Sequence, residues 1–197
     1  MGAYLPEIAV AAALAWASGI RLYATLFLVG LAGKLGWVVL PEHLEILSSP
    51  LVLTASGFMT VVEFFADKIP WLDSVWDAVN TFLRVPGGAL LAAAAVGDSG
   101  AGAALAAAII GGSITAGTHF AKAGARAVVN TSPEPFSNMV KSSLEDLLVP
   151  AGLWAAIAAP AVFLVALLLF LGLVAWALPK LWRGVRRVLS FGGGRSE

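Results

Sequence analysis

The sequence predicts an all-α fold, a polytopic membrane helix bundle of five to six membrane-embedded helices with proline-interrupted or re-entrant segments. Three observations carry this expectation. Hydrophobic residues make up 59% of the chain and charged residues only 12%, about half the charged share of a soluble domain. Long alanine- and leucine-rich stretches follow one another, several of them long enough to cross about 30 Å of hydrocarbon. Prolines at 70, 86, 133, 135, 150 and 160 punctuate these stretches, and a proline interrupts the helical hydrogen-bond ladder. Residues 1–179 read as one transmembrane domain and residues 180–197 as a basic tail.

Composition also excludes. Net charge is zero, so no global field attracts nucleic acid. There is no cysteine, which removes disulfides, thiolate metal sites and cysteine nucleophiles. The first apolar run has no basic segment before it, so a cleaved signal peptide is not expected. Pro6 stands where a myristoylation signal needs Ser or Thr. Five of the twelve basic residues, Lys180, Arg183, Arg186, Arg187 and Arg195, lie in the tail with Glu197 alone opposing them. That bias places the C-terminus in the cytoplasm.

The first helix is expected from Pro6 to Lys34 as one tilted span, with Ser18, Arg21 and Thr25 on one face and Gly30 and Gly33 as a close-packing edge. Residues 34–50 read as an interfacial loop. His43 in that loop has no second histidine at ligand spacing, so a metal site is discounted. The second helix runs from Leu51 to Ala66, short for a full span. Its polar residues Ser56, Thr60, Glu63 and Asp67 step by four, three and four, which puts them in one stripe. Pro70 ends it and forces a break at residues 67–70.

The third helix is expected from Trp71 to Val96. Asp73, Asp77, Asn80 and Arg84 repeat the same stripe, and Pro86-Gly87-Gly88 should kink or divide it. A turn at Gly97-Asp98-Ser99-Gly100 leads to the fourth helix, Ala101 to Val129, with Thr115, His119, Lys122 and Arg126 again at four, three and four. Asn130 to Pro135 breaks that helix. An amphipathic segment from Phe136 to Leu148 follows, with Asn138, Ser142 and Glu145 on one face. Pro150 is expected to open the last apolar stretch, which reaches Leu178 and is kinked or divided at Pro160. The segments from Val85 and Val149, each a Val-Pro followed by small residues, suggest an internal duplication. With one helix between them they would run in the same direction.

The stripes are the strongest signal for function. Acid dominates one part (Glu63, Asp67, Asp73, Asp77) and base another (Arg21, Arg84, Lys122, Arg126). Ionisable groups at membrane depth are costly and face a bundle interior or a wet cavity, in pairs. The expected ion or substrate pathway is therefore Arg21, Glu63, Asp67, Asp73, Asp77, Arg84, His119, Lys122, Arg126, Asn138 and Glu145. The leading expectation is a small transporter or channel-like protein for an ion or a polar or anionic head group. The alternatives are a structural or assembly protein, in which the same charges only fix helix register, and a membrane-embedded enzyme acting on lipid through the Asp73–Asp77 pair. Gly97-Asp98-Ser99-Gly100 fits a serine protease pattern, but His119 lies twenty residues along the same helix, about 30 Å away, too far for a serine–histidine pair. No catalytic residue, cofactor or metal is implied. Membrane lipids and a small ion or polar ligand are the expected partners, nucleic acid is not, and a homo-oligomer is left open.

Four pieces of the chain also carry a resemblance: Ser18-Gly19-Ile20-Arg21; Ala66-Asp67-Lys68-Ile69-Pro70 with Asp73 and Asp77; Arg84-Val85-Pro86-Gly87-Gly88-Ala89; and Ser132-Pro133-Glu134-Pro135-Phe136-Ser137-Asn138. Together they resemble a bacterial integral-membrane family catalogued as domain of unknown function four-one-two-six. The resemblance covers the chain to about Leu178 and leaves the basic tail outside. It implies a bacterial inner-membrane location and supplies no activity.

Overall fold

The computed structural model describes residues 4–69, 72–129 and 135–192, and their side chains except those of 127–129, 135–138, 178 and 181–192. These residues form six α-helices: α1 (Leu5–Lys34), α2 (Pro50–Ala66), α3 (Leu72–Ala95), α4 (Ala101–Val129), α5 (Pro135–Ala158) and α6 (Pro160–Gly192). Two 3-10 helices, Glu42–Ser48 and Gly97–Ser99, lie between them. No strand occurs among the described residues, and the all-α expectation holds. Four helices are long and apolar enough to cross a membrane: Leu5–Lys34, Leu72–Ala95, Ala101–Arg126 and Pro160–Ala177. A fifth span is counted if Glu42–Ser48 and α2, which meet at a 67° bend, are taken together.

The first helix is not the single tilted span expected from its composition. Arg21 adopts φ −146° and ψ 94°, an extended conformation inside α1. The two arms fold back on each other there. Residues equidistant from Arg21, Leu14 with Leu28 and Val10 with Ala32, line one and the same pocket, which a straight helix could not allow at 1.5 Å per residue. Leu31 and Ala32 are followed by a reversal at Gly36, whose φ of +70° is a region that glycine enters without strain. Arg21 is therefore the tip of a hairpin whose first arm, Leu5 to Ile20, is about 24 Å long at 1.5 Å per residue. Alanine repetition makes this tight packing feasible: Ala9, Ala11, Ala13, Ala15 and Ala17 of the first arm are all buried.

The open end of the hairpin marks one face of the bundle. Glu7 accepts a hydrogen bond from Ser99 Oγ at 2.9 Å, and His43 lies 3.2 Å from Asp98. Residues 34–50, read above as a loop, contain the 3-10 helix Glu42–Ser48, which sets Leu44 and Leu47 into the core. Ser49 caps α2 by accepting from the Val52 amide, and Pro50 occupies the first helical turn, where its missing N–H costs nothing. α2 descends from this face, α3 returns to it, α4 descends, α5 returns and α6 descends. The two Val-Pro segments thus lie on helices that run the same way.

Pro86 and Pro150 divide nothing. Each sits inside a continuous helix, α3 and α5 respectively. Pro150 is therefore mid-helix rather than the start of the last apolar stretch, and the break comes at Ala159, one residue before Pro160. Both expectations weighed the missing proline N–H without the packing that offsets it. Helix α3 is locked against α4 by close approach of small residues: a Cβ on Gly88 would stand 2.1 Å from Thr115 Oγ1, and one on Gly111 2.4 Å from the Ala92 side chain. Thr115 in turn donates to the Ala15 carbonyl of α1 at 2.8 Å.

The break after α2 is where the sequence puts it. Asp67, Lys68 and Ile69 are non-helical; Pro70 lies outside the described residues. The expected break at 130–135 lies outside them except for Pro135, with which α5 begins. Although the break at Pro70 would let α2 and α3 fold back on each other, they do not pack face to face. They approach each other little, and α2 packs chiefly against α1, whose hairpin stands between them. Phe27 of α1 fills the space beside Gly57 of α2, and Leu22 the space beside Gly87 of α3.

Candidate functional site

The hairpin tip places a guanidinium in the middle of the bundle. Arg21 NH1 lies 3.1 Å from Asp67 and NH2 2.9 Å from Asp146. Its NH2 also donates to Ser142 Oγ at 3.1 Å and to the Ser142 carbonyl at 3.3 Å. A backbone break at membrane depth must find its hydrogen bonds inside the protein, and this one does. Thr25 Oγ1 donates to the Arg21 carbonyl at 2.7 Å, and Lys122 Nζ donates to the Ile20 carbonyl at 2.9 Å.

Around this tip the stripes of α2, α3, α4 and α5 meet. Arg84 pairs with Glu63 at 2.7 Å and with Asp77 at 2.6 Å. Arg126 pairs with Asp77 at 2.6 Å and Asp73 at 3.3 Å, and its NH1 donates to the Asp73 carbonyl at 3.1 Å. Lys122 reaches Glu145 at 3.1 Å, Asp67 at 3.2 Å and Asp77 at 3.7 Å. At the margin Lys68 pairs with Asp146 at 3.2 Å, and Lys141 pairs with Glu145 one helical turn on. The network joins six cations (Arg21, Lys68, Arg84, Lys122, Arg126, Lys141) to six carboxylates (Glu63, Asp67, Asp73, Asp77, Glu145, Asp146). It is formally neutral, which is what burial demands: an unpaired ion at this depth would cost several kcal/mol, roughly 3–5 when one partner of a buried pair is removed.

His119 extends the network without adding charge. Its Nδ1 lies 3.3 Å from Arg84 NH1 and its Nε2 2.6 Å from Thr81 Oγ1. Arginine can only donate, so Nδ1 accepts and the ring proton belongs on Nε2, donating to Thr81. Thr81 then donates onward to the Asp77 carbonyl at 2.8 Å. This tautomer is assigned from the partners.

Ten of the eleven expected site residues come together here, all buried: Arg21, Glu63, Asp67, Asp73, Asp77, Arg84, His119, Lys122, Arg126 and Glu145. The side chain of Asn138 lies outside the described residues. The periodic reading missed Lys68, Lys141 and Asp146. Lys141 stands four residues before Glu145, a spacing that pairs opposite charges on a helix and could have identified it. Lys68 and Asp146 lie off the stripes, and nothing in the local spacing points to them. The carboxylates do not converge on one point, because a cation separates each from the next. No group of three His, Cys, Asp or Glu among the described residues is arranged to hold a metal ion.

The network is imperfectly satisfied. Arg21 Nε, Glu63 Oε2, Arg84 Nε and the indole N–H of Trp76 are buried without a hydrogen-bond partner among the described residues. It also has an opening. Helices α4 and α5 barely touch, and between them lies a cleft of about 960 Å³, floored by Trp16 and Ile20 of α1 and backed by Val162, Phe163, Leu167 and Phe170 of α6. Its walls are apolar except at Thr118 and where Lys122, Lys141 and Glu145 reach it. Lys122 therefore belongs both to the buried network and to the wall of this cleft.

A family model described as Domain of unknown function (DUF4126) matches residues 8–180, so the match takes in all of the network residues. No curated protein and no solved structure matches the chain.

Proposed function

The chain belongs to that family, and on this premise we propose that it is a small membrane transporter that carries an ion or a polar, anionic head group past its charged centre. One observation supports this reading above the rest: Lys122 bridges the buried network, at 3.2 Å from Asp67, to the wall of a cleft of about 960 Å³. A ligand in the cleft can compete for that ammonium without dismantling the bundle, and the unpartnered polar atoms deeper in supply sites for its onward passage. The location proposed for it is an inner (plasma) membrane with the basic tail in the cytoplasm.

The structural alternative has its own support. Arg84 and Glu63 are both fully buried and 2.7 Å apart, a pairing sealed from solvent that can set helix register. Asp67→Asn and Asp73→Asn separate the two readings. Each variant is purified, its detergent-extracted folded yield is measured, and it is reconstituted into liposomes. Flux is read with a pH-sensitive dye under ion gradients and with head-group-labelled phospholipid bleached by dithionite. The transport reading expects flux to fall at least about tenfold, a loss of about 1.4 kcal/mol of transition-state stabilisation, with folded yield nearly intact. Loss of folded protein in both variants, restored by neutralising Lys122 or Arg126 as well, favours the structural role.

A further inference from the structure

We infer that the cleft between α4 and α5 is a lateral binding site for an anionic phospholipid, with its phosphate at Lys141 and Lys122 and its acyl chains along the apolar wall. The inference rests on the transport reading and names the substrate class for it. Four features lead here.

The first is shape and lining. At about 960 Å³ the cleft is at the upper end of ligand-pocket sizes, about 300–1,000 Å³, and it is lined by α4 and α6, both long and apolar enough to cross a membrane. Leu144, Leu148, Phe163, Leu167 and Phe170 supply its wall. No driving force separates such a wall from lipid tails, which are as apolar as leucine, so acyl chains enter it readily from the side.

The second is charge. Where the cleft meets the network it presents two lysines, Lys122 and Lys141, against the one carboxylate Glu145. The balancing carboxylates, Asp67 and Asp77, lie on the far side of Lys122. A phosphodiester carries one negative charge, the size of this local excess.

The third is spare hydrogen-bonding capacity. Lys141 has three donors, and Glu145 is its one hydrogen-bond partner among the described residues. Glu145 itself is shared with Lys122 at 3.1 Å and Arg126 at 3.9 Å. An incoming phosphate can take a donor from Lys141 without leaving Glu145 unpaired.

The fourth is depth. Lys141 is in the second turn of α5, six residues from its start, about 9 Å along the helix axis. A lysine at that depth reaches the head-group level by extending its stem. The acyl chains then point along α5 toward Trp16, which packs edge-to-face on Phe163 at 6.1 Å.

The full-length protein in nanodiscs of phosphatidylcholine tests this. A small fraction of phosphatidylglycerol brominated on its acyl chains is added, and tryptophan quenching is compared between wild type and Trp16→Phe to isolate the Trp16 signal. The same is done with brominated phosphatidylcholine. The expected result is about fivefold stronger quenching of Trp16 by phosphatidylglycerol, the preference that about 1 kcal/mol from one lysine near a membrane surface confers. Lys141→Gln should remove that preference while quenching by phosphatidylcholine stays, and Ala166→Phe, which fills the cleft, should reduce both. Native mass spectrometry of the wild type, counting retained phosphatidylglycerol against phosphatidylcholine, gives the same comparison with no variant to fold. Equal quenching and equal retention of the two lipids overturn the inference. If lipid preference is lost but Asp67-dependent ion flux remains, this inference fails and the transport reading stands. If the preference is present but no flux occurs with any substrate, the transport reading fails instead.

Discussion

Lys122 Nζ donates to the Ile20 carbonyl across 2.9 Å, joining α4 to the last carbonyl before the break in α1. The contact explains how a helix can turn back at membrane depth. A freed carbonyl in hydrocarbon would cost several kcal/mol; here a lysine already committed to Asp67 and Glu145 satisfies it. The break and the charge network thus hold each other in place, and neither is expected to persist without the other.

Arg21→Lys tests that mutual dependence. The guanidinium forks between Asp67 and Asp146, which a lysine, as a single point charge, cannot do. The expected cost is about 1.5–3 kcal/mol, one charge-assisted hydrogen bond. It should appear as faster amide exchange at residues 15–27, around the tip, with α3 and α4 little changed. Unchanged exchange at the tip would show that helix packing alone holds the hairpin.

Two glycine substitutions separate packing from propensity. Gly88→Ala drives a methyl to 2.1 Å from Thr115 Oγ1, whereas Gly172 of α6 has open space around it. Gly88→Ala should destabilise by about 1–3 kcal/mol through overpacking, read as a lower unfolding temperature in detergent. Gly172→Ala should be neutral or up to about 1 kcal/mol stabilising, as alanine is the better helix former. Equal effects would mean that the α3–α4 contact is softer than its geometry implies.

Topology can be read on the natural background, because the chain has no cysteine. Val39 is 95% exposed at the face that carries Glu7 and His43, and α6 runs from that face toward the basic tail. Val39→Cys should react with a membrane-impermeant maleimide on intact cells, and Glu197→Cys only after permeabilisation. Labelling of Glu197→Cys on intact cells would reverse the orientation inferred from the basic tail.

Much of the candidate site was legible in the sequence, because the costs that shape it are local. A carboxylate or guanidinium within an apolar helix must face inward, so the four-three-four spacing of Glu63, Asp67, Asp73, Asp77, Arg84, His119, Lys122 and Arg126 was enough to mark residues that the fold brings together. The break at Asp67 follows from Pro70 in the same local way. The membrane class followed from composition alone.

What only the tertiary structure decided depends on contacts between distant segments. The fold-back at Arg21 has no proline or paired glycine to announce it; it exists because Asp67, Asp146 and Lys122, all far along the chain, meet the tip. By local rules Pro86 could have divided its helix and Pro150 opened one, yet both lie inside continuous helices, α3 with Gly88 packed closely on Thr115. Lys68 and Asp146 enter the network only because the fold brings α5 beside the end of α2, where the two pair at 3.2 Å, and the cleft exists only because α4 and α5 pack on α1 and α6 rather than on each other. Burial and periodicity act within a helix and can be read along it; pairing, hairpin reversal and cavities are properties of helices against one another.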